Sequence, residues 1–191
     1  MKCDVILAGV GGQGVLSIAA IIARAALDEG LSVRQSEVHG MAQRGGAVLA
    51  HLRLSDSVIR SDLVPRGSAD LIISMEPLES LRYIKWLSPN GMVVSAMEPY
   101  LNISNYPDHK EILDALETLP CKRIIKAEAL AKEAGQMKSV NMVMVGAAAP
   151  FLPIKSKTLE NAISSMFSGK GPNVISANTT AFNLGRKAAE K

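Results

Sequence analysis

Short apolar runs alternate with amphipathic segments along the first two thirds of the chain. Cys3 to Ala8 is an apolar run that predicts a strand, and Val15 to Glu29 follows as a helix that is apolar on most sides. Gly30 is placed to end that helix in the left-handed conformation, and Leu31 to Ser36 predicts a second strand. A strand, a helix and a strand within about 35 residues predict a βαβ unit with two parallel strands.

The alternation continues through the middle of the chain. The predicted strands are Ala47 to Leu54, Asp70 to Met75, Gly91 to Met97 and Cys121 to Ala127, and the predicted helices are Pro77 to Leu87 and His109 to Leu119. We expect Ala47 to Leu54 to pair antiparallel with Ser57 to Arg60, through a turn at Ser55 and Asp56. Glu98 to Pro107 contains two prolines and is predicted to be a loop.

The pattern becomes helical from Glu128 onward. Helices are predicted at Val140 to Ala149, Thr158 to Phe167 and Ser176 to Ala189. The alternating part predicts a three-layer α/β/α fold with a doubly wound, mostly parallel, Rossmann-like sheet, which the helical tail caps. Because no stretch has the composition of a linker, we expect residues 1–191 to form one domain.

An uncharged run from Val5 to Ala23 has the length of a membrane span. Four glycines and Gln13 interrupt its middle, and no small-residue cleavage site follows it. The run is therefore better explained as a strand, a loop and a buried helix. With only two cysteines and no targeting segment, we expect a cytoplasmic chain with reduced thiols and no membrane partner.

Composition excludes several classes of chemistry. Two cysteines cannot supply the four thiolates of an iron–sulfur cluster, and three widely spaced histidines fit no zinc motif, so we expect no metal site. The net charge of +3 and the aromatic content of 4% argue against a nucleic-acid partner.

The first predicted strand feeds its helix through a glycine-rich turn, Gly9-Val10-Gly11-Gly12-Gln13-Gly14. This turn matches the GxGxxG pattern, whose backbone N–H groups bind phosphate at a helix N-terminus. Glu37 follows the second strand at the position expected for a ribose-binding carboxylate. Two interpretations stay open: the turn forms a dinucleotide site, or its glycines only permit close packing. The spacing also leaves open whether the Gln13 amide contacts a ligand or the protein.

A second unusual segment runs from Ser36 to Gly46. It combines four polar side chains with three glycines directly after a strand, namely Glu37, His39, Gln43 and Arg44 with Gly40, Gly45 and Gly46. Since ligands of open α/β sheets bind beyond the carboxyl ends of strands, we expect this loop and the glycine-rich turn to border one crevice. His39 and Arg44 are the candidate catalytic residues there, although a loop histidine beside glycine is more often a hydrogen-bonding fixture.

Arginine is concentrated near this loop. Five of the nine arginines lie between residues 34 and 66, where no lysine occurs. Such a bias favours planar contacts with a carboxylate, a phosphate or a protein interface. The alternative is a set of ion pairs with Glu37, Asp56 and Asp62.

Four segments together resemble one enzyme family. They are AGVGGQGV, SEVHGMAQRGGAV, SVNMVMVGAAAPFLPI and NTTAFNLGR, and they span nearly the whole chain. This set resembles the gamma subunits and domains of 2-oxoacid:ferredoxin oxidoreductases, and HGMAQRGG resembles the small (beta) subunits of the indolepyruvate branch.

The resemblance implies a role in the oxidative decarboxylation of an arylpyruvate, with coenzyme A and oxidised ferredoxin, to acyl-CoA, carbon dioxide and reduced ferredoxin. Thiamine diphosphate and iron–sulfur clusters then belong to a large alpha subunit, and this chain alone is expected to be inactive. The resemblance carries over, residue by residue, to one set on the face toward that subunit: Gly9, Gly11, Gly12, Gln13, Gly14, Glu37, His39, Gln43, Arg44, Gly45 and Gly46. These residues are expected to help position coenzyme A or the substrate.

Two other functions remain as alternatives. A nicotinamide-dependent oxidoreductase would use Gly9 to Gly14 and Glu37, although a ferredoxin acceptor makes that reading weaker. A regulatory or scaffold domain would bind an anionic ligand without catalysis.

Overall fold

The computed structural model describes residues 1–37 and 45–190, and these residues form six strands and seven α-helices. The strands are β1 (Lys2–Val10), β2 (Ser32–Glu37), β3 (Ala47–Ser55), β4 (Ala69–Ser74), β5 (Leu87–Ala96) and β6 (Lys122–Ile125). The helices are α1 (Val15–Asp28), α2 (Pro77–Arg82), α3 (His109–Glu117), α4 (Ala127–Glu133), α5 (Val140–Ala148), α6 (Ser156–Met166) and α7 (Pro172–Ala189).

The strands form one sheet in the order β2-β3-β1-β4-β5-β6. β1, β4, β5 and β6 are parallel neighbours, whereas β3 is antiparallel to both β1 and β2. Five strands therefore point the same way, which confirms a mostly parallel α/β sheet. β1 and β2 are parallel in direction, as predicted, but β3 separates them.

One predicted pairing is wrong. Ser57 to Arg60 forms no strand, and β3 pairs along its whole length with β1, from Ser55 opposite Lys2 to Ala47 opposite Val10. On its other edge β3 pairs with β2. Because both edges are occupied, β3 has no hydrogen-bonding groups left for a hairpin partner.

Some element boundaries also differ from the prediction. The helix that starts at Pro77 ends at Arg82 and continues as a 3-10 turn, Ile84–Trp86, so β5 begins at Leu87 and not at Gly91. The sixth strand ends at Ile125, and α4 follows at once, in the part of the chain whose pattern becomes helical at Glu128 but for which no helix bounds were predicted. α4 has only seven residues, too few for a clear helical periodicity.

Alternate side chains of the strands enter two cores. Val5 and Leu7 of β1 lie in the larger core with α1 and the C-terminal helices, whereas Ile6 packs on the opposite face near Val64 and Trp86. The tail helices pack closely, because a Cβ on Gly146 of α5 would lie 1.9 Å from the carbonyl oxygen of Phe182 in α7. The tail thus caps one face of the sheet, as predicted.

The helices that follow β1 and β4 lie on opposite faces. α1 packs in the larger core, whereas α2 joins the other face through a 2.7 Å hydrogen bond from Ser80 Oγ to Ser95 Oγ. The sheet therefore has its topological switch point between β1 and β4, where open α/β sheets bind ligands. In the part of the chain that the structure describes, no helix has the length and apolarity to cross a membrane.

Candidate functional site

The glycine-rich turn stands at the switch point, beside the end of β4. The Met75 N–H donates to the Ala8 carbonyl oxygen at 2.9 Å, so β1 and β4 stay joined up to the turn. A Cβ on Gly9 would lie 3.0 Å from the Met75 Cβ and 2.8 Å from Val15 Cγ2. Gly9 is therefore needed for close packing, which is one of the two interpretations of the turn.

The Gln13 side chain bonds to the protein's own backbone. Its Oε1 accepts from the Val10 N–H at 2.7 Å, and its Nε2 donates to the Met75 carbonyl oxygen at 3.1 Å. Both ends of the amide are used, so Gln13 fixes the shape of the turn and ties it to β4.

The rest of the turn presents free donors. Gly12 and Gly14 have φ values of 102° and 82°, a conformation that favours glycine. Gly14 caps α1 without a side-chain hydrogen bond, and the N–H groups of Gly12, Gly14 and Val15 find no acceptor among the described residues. Unpaired N–H groups at the positive end of a 14-residue helix form an anion-binding arrangement.

Asn141 of α5 is a site residue that sequence reasoning missed. Its Nδ2 lies 2.8 Å from the position of a Cβ on Gly14, so the amide packs directly against the turn. The Asn141 side chain is partly exposed and makes no hydrogen bond within residues 1–37 and 45–190. It adds a further donor beside the α1 N-terminus, and only the fold brings these distant residues together.

The second glycine segment lies directly beside the glycine-rich turn. The Gly11 N–H donates to the Gly46 carbonyl oxygen at 2.8 Å, and the Gly45 N–H donates to the Gly11 carbonyl oxygen at 3.2 Å. Gly45 and Gly46 therefore line the turn, as predicted. His39, Gln43 and Arg44 lie outside the described residues.

Glu37 does not occupy the place of a ribose-binding carboxylate. It ends β2 and stands opposite Ala50 of β3, which in turn stands opposite Leu7 of β1. Glu37 is thus two strand spacings, roughly 10 Å, from β1. The dinucleotide fingerprint places its acid on the strand adjacent to β1, so this geometry does not fit it.

A third loop, which sequence reasoning did not connect with the site, contacts the second glycine segment. Asn102 Nδ2 donates to the Gly45 carbonyl oxygen at 2.7 Å. The same loop is held by the buried carboxylate of Glu76, which accepts from the Tyr100 N–H at 3.4 Å and from the Tyr106 hydroxyl. Burial and the Glu76 carboxylate raise the pKa of Tyr106, so its hydroxyl stays a donor. In the sequence, Glu76-Pro77 predicts the start of a helix, but it does not predict the contacts of Glu76 with Tyr100 and Tyr106.

The arginines among the described residues do not gather beside the glycine-rich turn. Arg53 makes a bidentate ion pair with the buried Asp4, with Nε–Oδ1 and Nη2–Oδ2 distances of 2.7 and 3.1 Å. Arg34 stands opposite Arg53 in the sheet, so both lie toward the amino end of β1, roughly 20 Å from Val10. Arg66 stacks over Trp86 at 4.9 Å. Arg44 is the arginine that the sequence analysis assigns to the site. It lies outside the described residues, so its role stays an expectation.

The described histidines and cysteines are fixtures of the fold. His51 is buried and its Nδ1 accepts from the Val64 N–H at 3.1 Å, and burial lowers its pKa. Burial also raises the pKa of the Cys3 thiol to about 12, with nearby Asp70 and Asp4 adding to the effect. Cys121 directly precedes β6, and within the described residues no three His, Cys, Asp or Glu side chains cluster as metal ligands. The two thiols do not form the ligand set of an iron–sulfur cluster.

The free N–H donors of the glycine-rich turn are suited to binding and positioning an anion.

Known proteins resemble the chain over its full length. Residues 4–188 match the family model of pyruvate ferredoxin/flavodoxin oxidoreductase. Indolepyruvate oxidoreductase subunit IorB of Pyrococcus horikoshii is 37% identical over 98% of this chain and 96% of its own length. The Archaeoglobus fulgidus protein of the same name is 35% identical, over 99% of this chain and 96% of its own length.

Solved structures share the fold. The 2-oxoglutarate:ferredoxin oxidoreductase from Magnetococcus marinus, with 2-oxoglutarate, coenzyme A and succinyl-CoA bound, has a TM-score of 0.78 at 24% identity, over 99% of this chain and 31% of its own. A keto/oxoacid ferredoxin oxidoreductase gamma subunit from Geobacter sulfurreducens has a TM-score of 0.72 at 22% identity, over 98% of both chains.

Proposed function

The chain belongs to the pyruvate ferredoxin/flavodoxin oxidoreductase family, and on that premise we propose that it is the small subunit of an indolepyruvate or related arylpyruvate oxidoreductase. The complex converts the 2-oxoacid, coenzyme A and two oxidised ferredoxins into acyl-CoA, carbon dioxide, a proton and two reduced ferredoxins. The support for an arylpyruvate is the identity of 35–37% to full-length indolepyruvate oxidoreductase subunits. We further propose that residues 1–191 act as one gamma-type domain in the cytoplasm, since free cysteines are typical of a reducing compartment.

We propose that the redox groups belong to a large alpha subunit. Thiamine diphosphate, when bound there, supplies the carbanion chemistry of decarboxylation, and iron–sulfur clusters carry the electrons to ferredoxin. Two separated cysteines give this chain no cluster ligands of its own.

The role proposed for this chain is to bind coenzyme A by an anionic group. The observation that supports it is the set of unpaired N–H groups of Gly12, Gly14 and Val15 at the α1 N-terminus, with the Asn141 amide beside them. A phosphate oxygen at that position satisfies these donors and is stabilised by the helix dipole. The phosphate end is thereby fixed, and the flexible thiol end extends toward the partner's reacting carbon.

The second loop is proposed to face the partner across the same crevice. Glu37, Gln43, Gly45 and Gly46 are assigned to this face, with His39 and Arg44 as the candidates for direct contact with a reacting group. An Arg44→Ala variant separates an enzyme subunit from a scaffold. Loss of turnover in the reconstituted complex supports the enzyme subunit, and unchanged turnover supports the scaffold.

Reconstitution tests the whole proposal. A large subunit should co-purify with the tagged chain. After separation from it, that large subunit should reduce ferredoxin in the presence of indolepyruvate and coenzyme A only when this chain is added back. Full activity of the cofactor-saturated large subunit alone contradicts the proposal. A calorimetric titration with NAD and NADP tests the nicotinamide alternative, for which we expect no heat because Glu37 is two strands from β1.

A further inference from the structure

The edge of the sheet opposite the glycine-rich turn carries a cavity. Its volume of about 500 Å³ is typical of small-molecule sites. It lies beside the first residues of β1, the end of β3 and the segment that follows β3. Because β1 runs for nine residues from Lys2 to Val10, the cavity is roughly 25 Å from the glycine-rich turn. We name it the amino-edge cavity, and the lining residues that matter below are Lys2, Asp4, Arg53, Ser57, Val58 and Arg60.

Two cations of the amino-edge cavity share one carboxylate. Asp4 is fully buried, and its two oxygens accept from Arg53 at 2.7 and 3.1 Å. The Lys2 Nζ lies 2.8 Å from Asp4 Oδ2, and the Lys2 side chain remains 52% exposed. One negative charge therefore faces two positive charges. Asp56, the other acid of the lining, pairs with the amino group of Met1 and leaves this excess in place.

Arg60 adds a positive charge that the protein does not neutralise. It is exposed at the cavity and makes no hydrogen bond or ion pair within residues 1–37 and 45–190. Asp62 is close in the chain, and Asp70 accepts the Asp4 N–H at 2.8 Å, but neither lines the cavity. A guanidinium with no partner is suited to a carboxylate or a phosphate, to which it can donate two parallel hydrogen bonds.

The segment after β3 is braced by the protein itself. Arg53 Nη1 donates to the carbonyl oxygens of Ser61 and Leu63, both at 3.1 Å. At the start of the segment, the Ser57 N–H donates to Ser55 Oγ at 3.1 Å. The segment is thus tied to β3 at both ends. A preformed wall of this kind loses little conformational entropy when a ligand binds.

An apolar surface lies beside these cations. Val58 is 82% exposed, and it lines the cavity together with Ile59, the residue before Arg60. An inorganic anion would leave Val58 in contact with water, whereas an apolar body attached to the anionic group would cover it. The lining therefore favours a ligand that has both parts.

We propose that the amino-edge cavity binds a small organic acid, with its carboxylate on Arg60 and Lys2 and its apolar body on Val58. This site is separate from the coenzyme A site proposed above, and it does not depend on the proposed function. Phosphate presents the same charge and the same kind of acceptor to Arg60, so the experiment compares the two anions directly.

Binding to the full-length chain is measured by calorimetry with three probes: hexanoate, its neutral analogue hexanamide, and inorganic phosphate. Arg60→Ala removes the free guanidinium. Arg24→Ala makes the same change at an exposed position of α1 that does not line the cavity. Circular dichroism checks the fold of both variants. Backbone amide shifts of the wild-type chain, followed by NMR during each titration, locate the bound probe.

We expect hexanoate to bind wild type with a Kd of about 1 mM, about 5-fold or more weaker in Arg60→Ala, and within about twofold of wild type in Arg24→Ala. Hexanamide and phosphate should bind the cavity at least about 5-fold more weakly than hexanoate, because each lacks one of the two parts. The shifts caused by hexanoate should fall in residues 1–4 and 53–61.

Four outcomes overturn the inference. They are the absence of saturable hexanoate binding to wild type, equal weakening in the two arginine variants, hexanamide or phosphate binding as tight as hexanoate in residues 53–61, and hexanoate shifts confined to residues 9–15. None of these measurements involves the large subunit. A failed reconstitution therefore bears only on the proposed function, and a failed titration bears only on the amino-edge cavity.

Discussion

The Gln13 side chain donates to the Met75 carbonyl oxygen at 3.1 Å, across the point where the helices of the sheet change face. Its other end accepts from the Val10 N–H. One amide therefore joins the turn to the end of β4 and fixes the shape of the turn that presents the free donors.

Removal of the Gln13 amide should loosen the turn. Gln13→Ala leaves a part-buried Val10 N–H and the Met75 carbonyl oxygen without their partner, so we expect a loss of about 1–3 kcal/mol in the free energy of unfolding. Urea denaturation measures it. Gln35→Ala on the exposed edge strand β2 is the control and should change stability by less than about 0.5 kcal/mol. Equal stability of the two variants contradicts a structural role for Gln13.

Asn141 should contribute to coenzyme A binding and not to folding. Asn141→Ala removes a donor beside the α1 N-terminus, so we expect the KM for coenzyme A in the reconstituted complex to rise about 3- to 10-fold, with little change in kcat. Asn141→Asp should raise it further, because a carboxylate repels an anion. Asn161→Ala, on the exposed surface of α6, is the matched control. An unchanged KM for coenzyme A in both Asn141 variants would falsify the phosphate position.

The Tyr106 hydroxyl should stabilise the third loop through Glu76. Tyr106→Phe leaves the buried Glu76 carboxylate short of one donor, so we expect about 1–3 kcal/mol of destabilisation in chemical unfolding. Faster hydrogen exchange in residues 98–107 should accompany it. Tyr83→Phe is a suitable control, because the Tyr83 hydroxyl makes no hydrogen bond within the described part of the chain. Identical behaviour of the two variants would show that Glu76 does not need this donor.

Stability should fall in mildly acidic solution because of His51. Burial lowers the pKa of His51, and its unprotonated Nδ1 accepts the Val64 N–H. The unfolded chain therefore binds the proton more readily than the folded one. The stabilisation is complete above the unfolded pKa of about 6.5 and is lost progressively as the pH falls below it, toward the lower folded pKa.

The pH dependence is measured as the free energy of unfolding at pH 7.5, 6.5 and 5.5. A His51→Gln variant cannot take up a proton, so its stability should fall less over this range than that of wild type. The other two histidines are left in place in both proteins. A decline of the same size in wild type and variant assigns the pH dependence to other groups.

Much of the local structure follows from the sequence pattern. The glycine-rich turn, the N-terminus of α1 and the left-handed Gly30 are encoded by residues close together in the chain, since turn conformation and helix propensity are local properties. The C-terminal helices were predicted for the same reason. The place of β3 was not, because a strand pattern specifies which face is buried but not which strand lies beside it.

The assignment of individual site residues depended more on the fold. The pattern predicted that the two glycine segments lie close together, and hydrogen bonds join Gly11 to Gly45 and Gly46. It also suggested an arginine-rich crevice, but Arg53 pairs with Asp4, 49 positions away, near the amino end of β1. No local signal distinguishes those two locations, since β3 runs against β1 and carries Arg53 away from the turn.

By itself, the sequence determined that this protein carries an α/β sheet with a glycine-rich turn before its first helix and only two cysteines, because these depend on local pattern and on residue counts. Only the tertiary structure decided that Gln13 serves the backbone, that Glu37 stands away from β1, and that Asn141 and Asn102 reach the crevice. These contacts join residues far apart in the chain. Their formation is set by strand order and by the packing of α5 against α1, which a one-dimensional pattern does not specify.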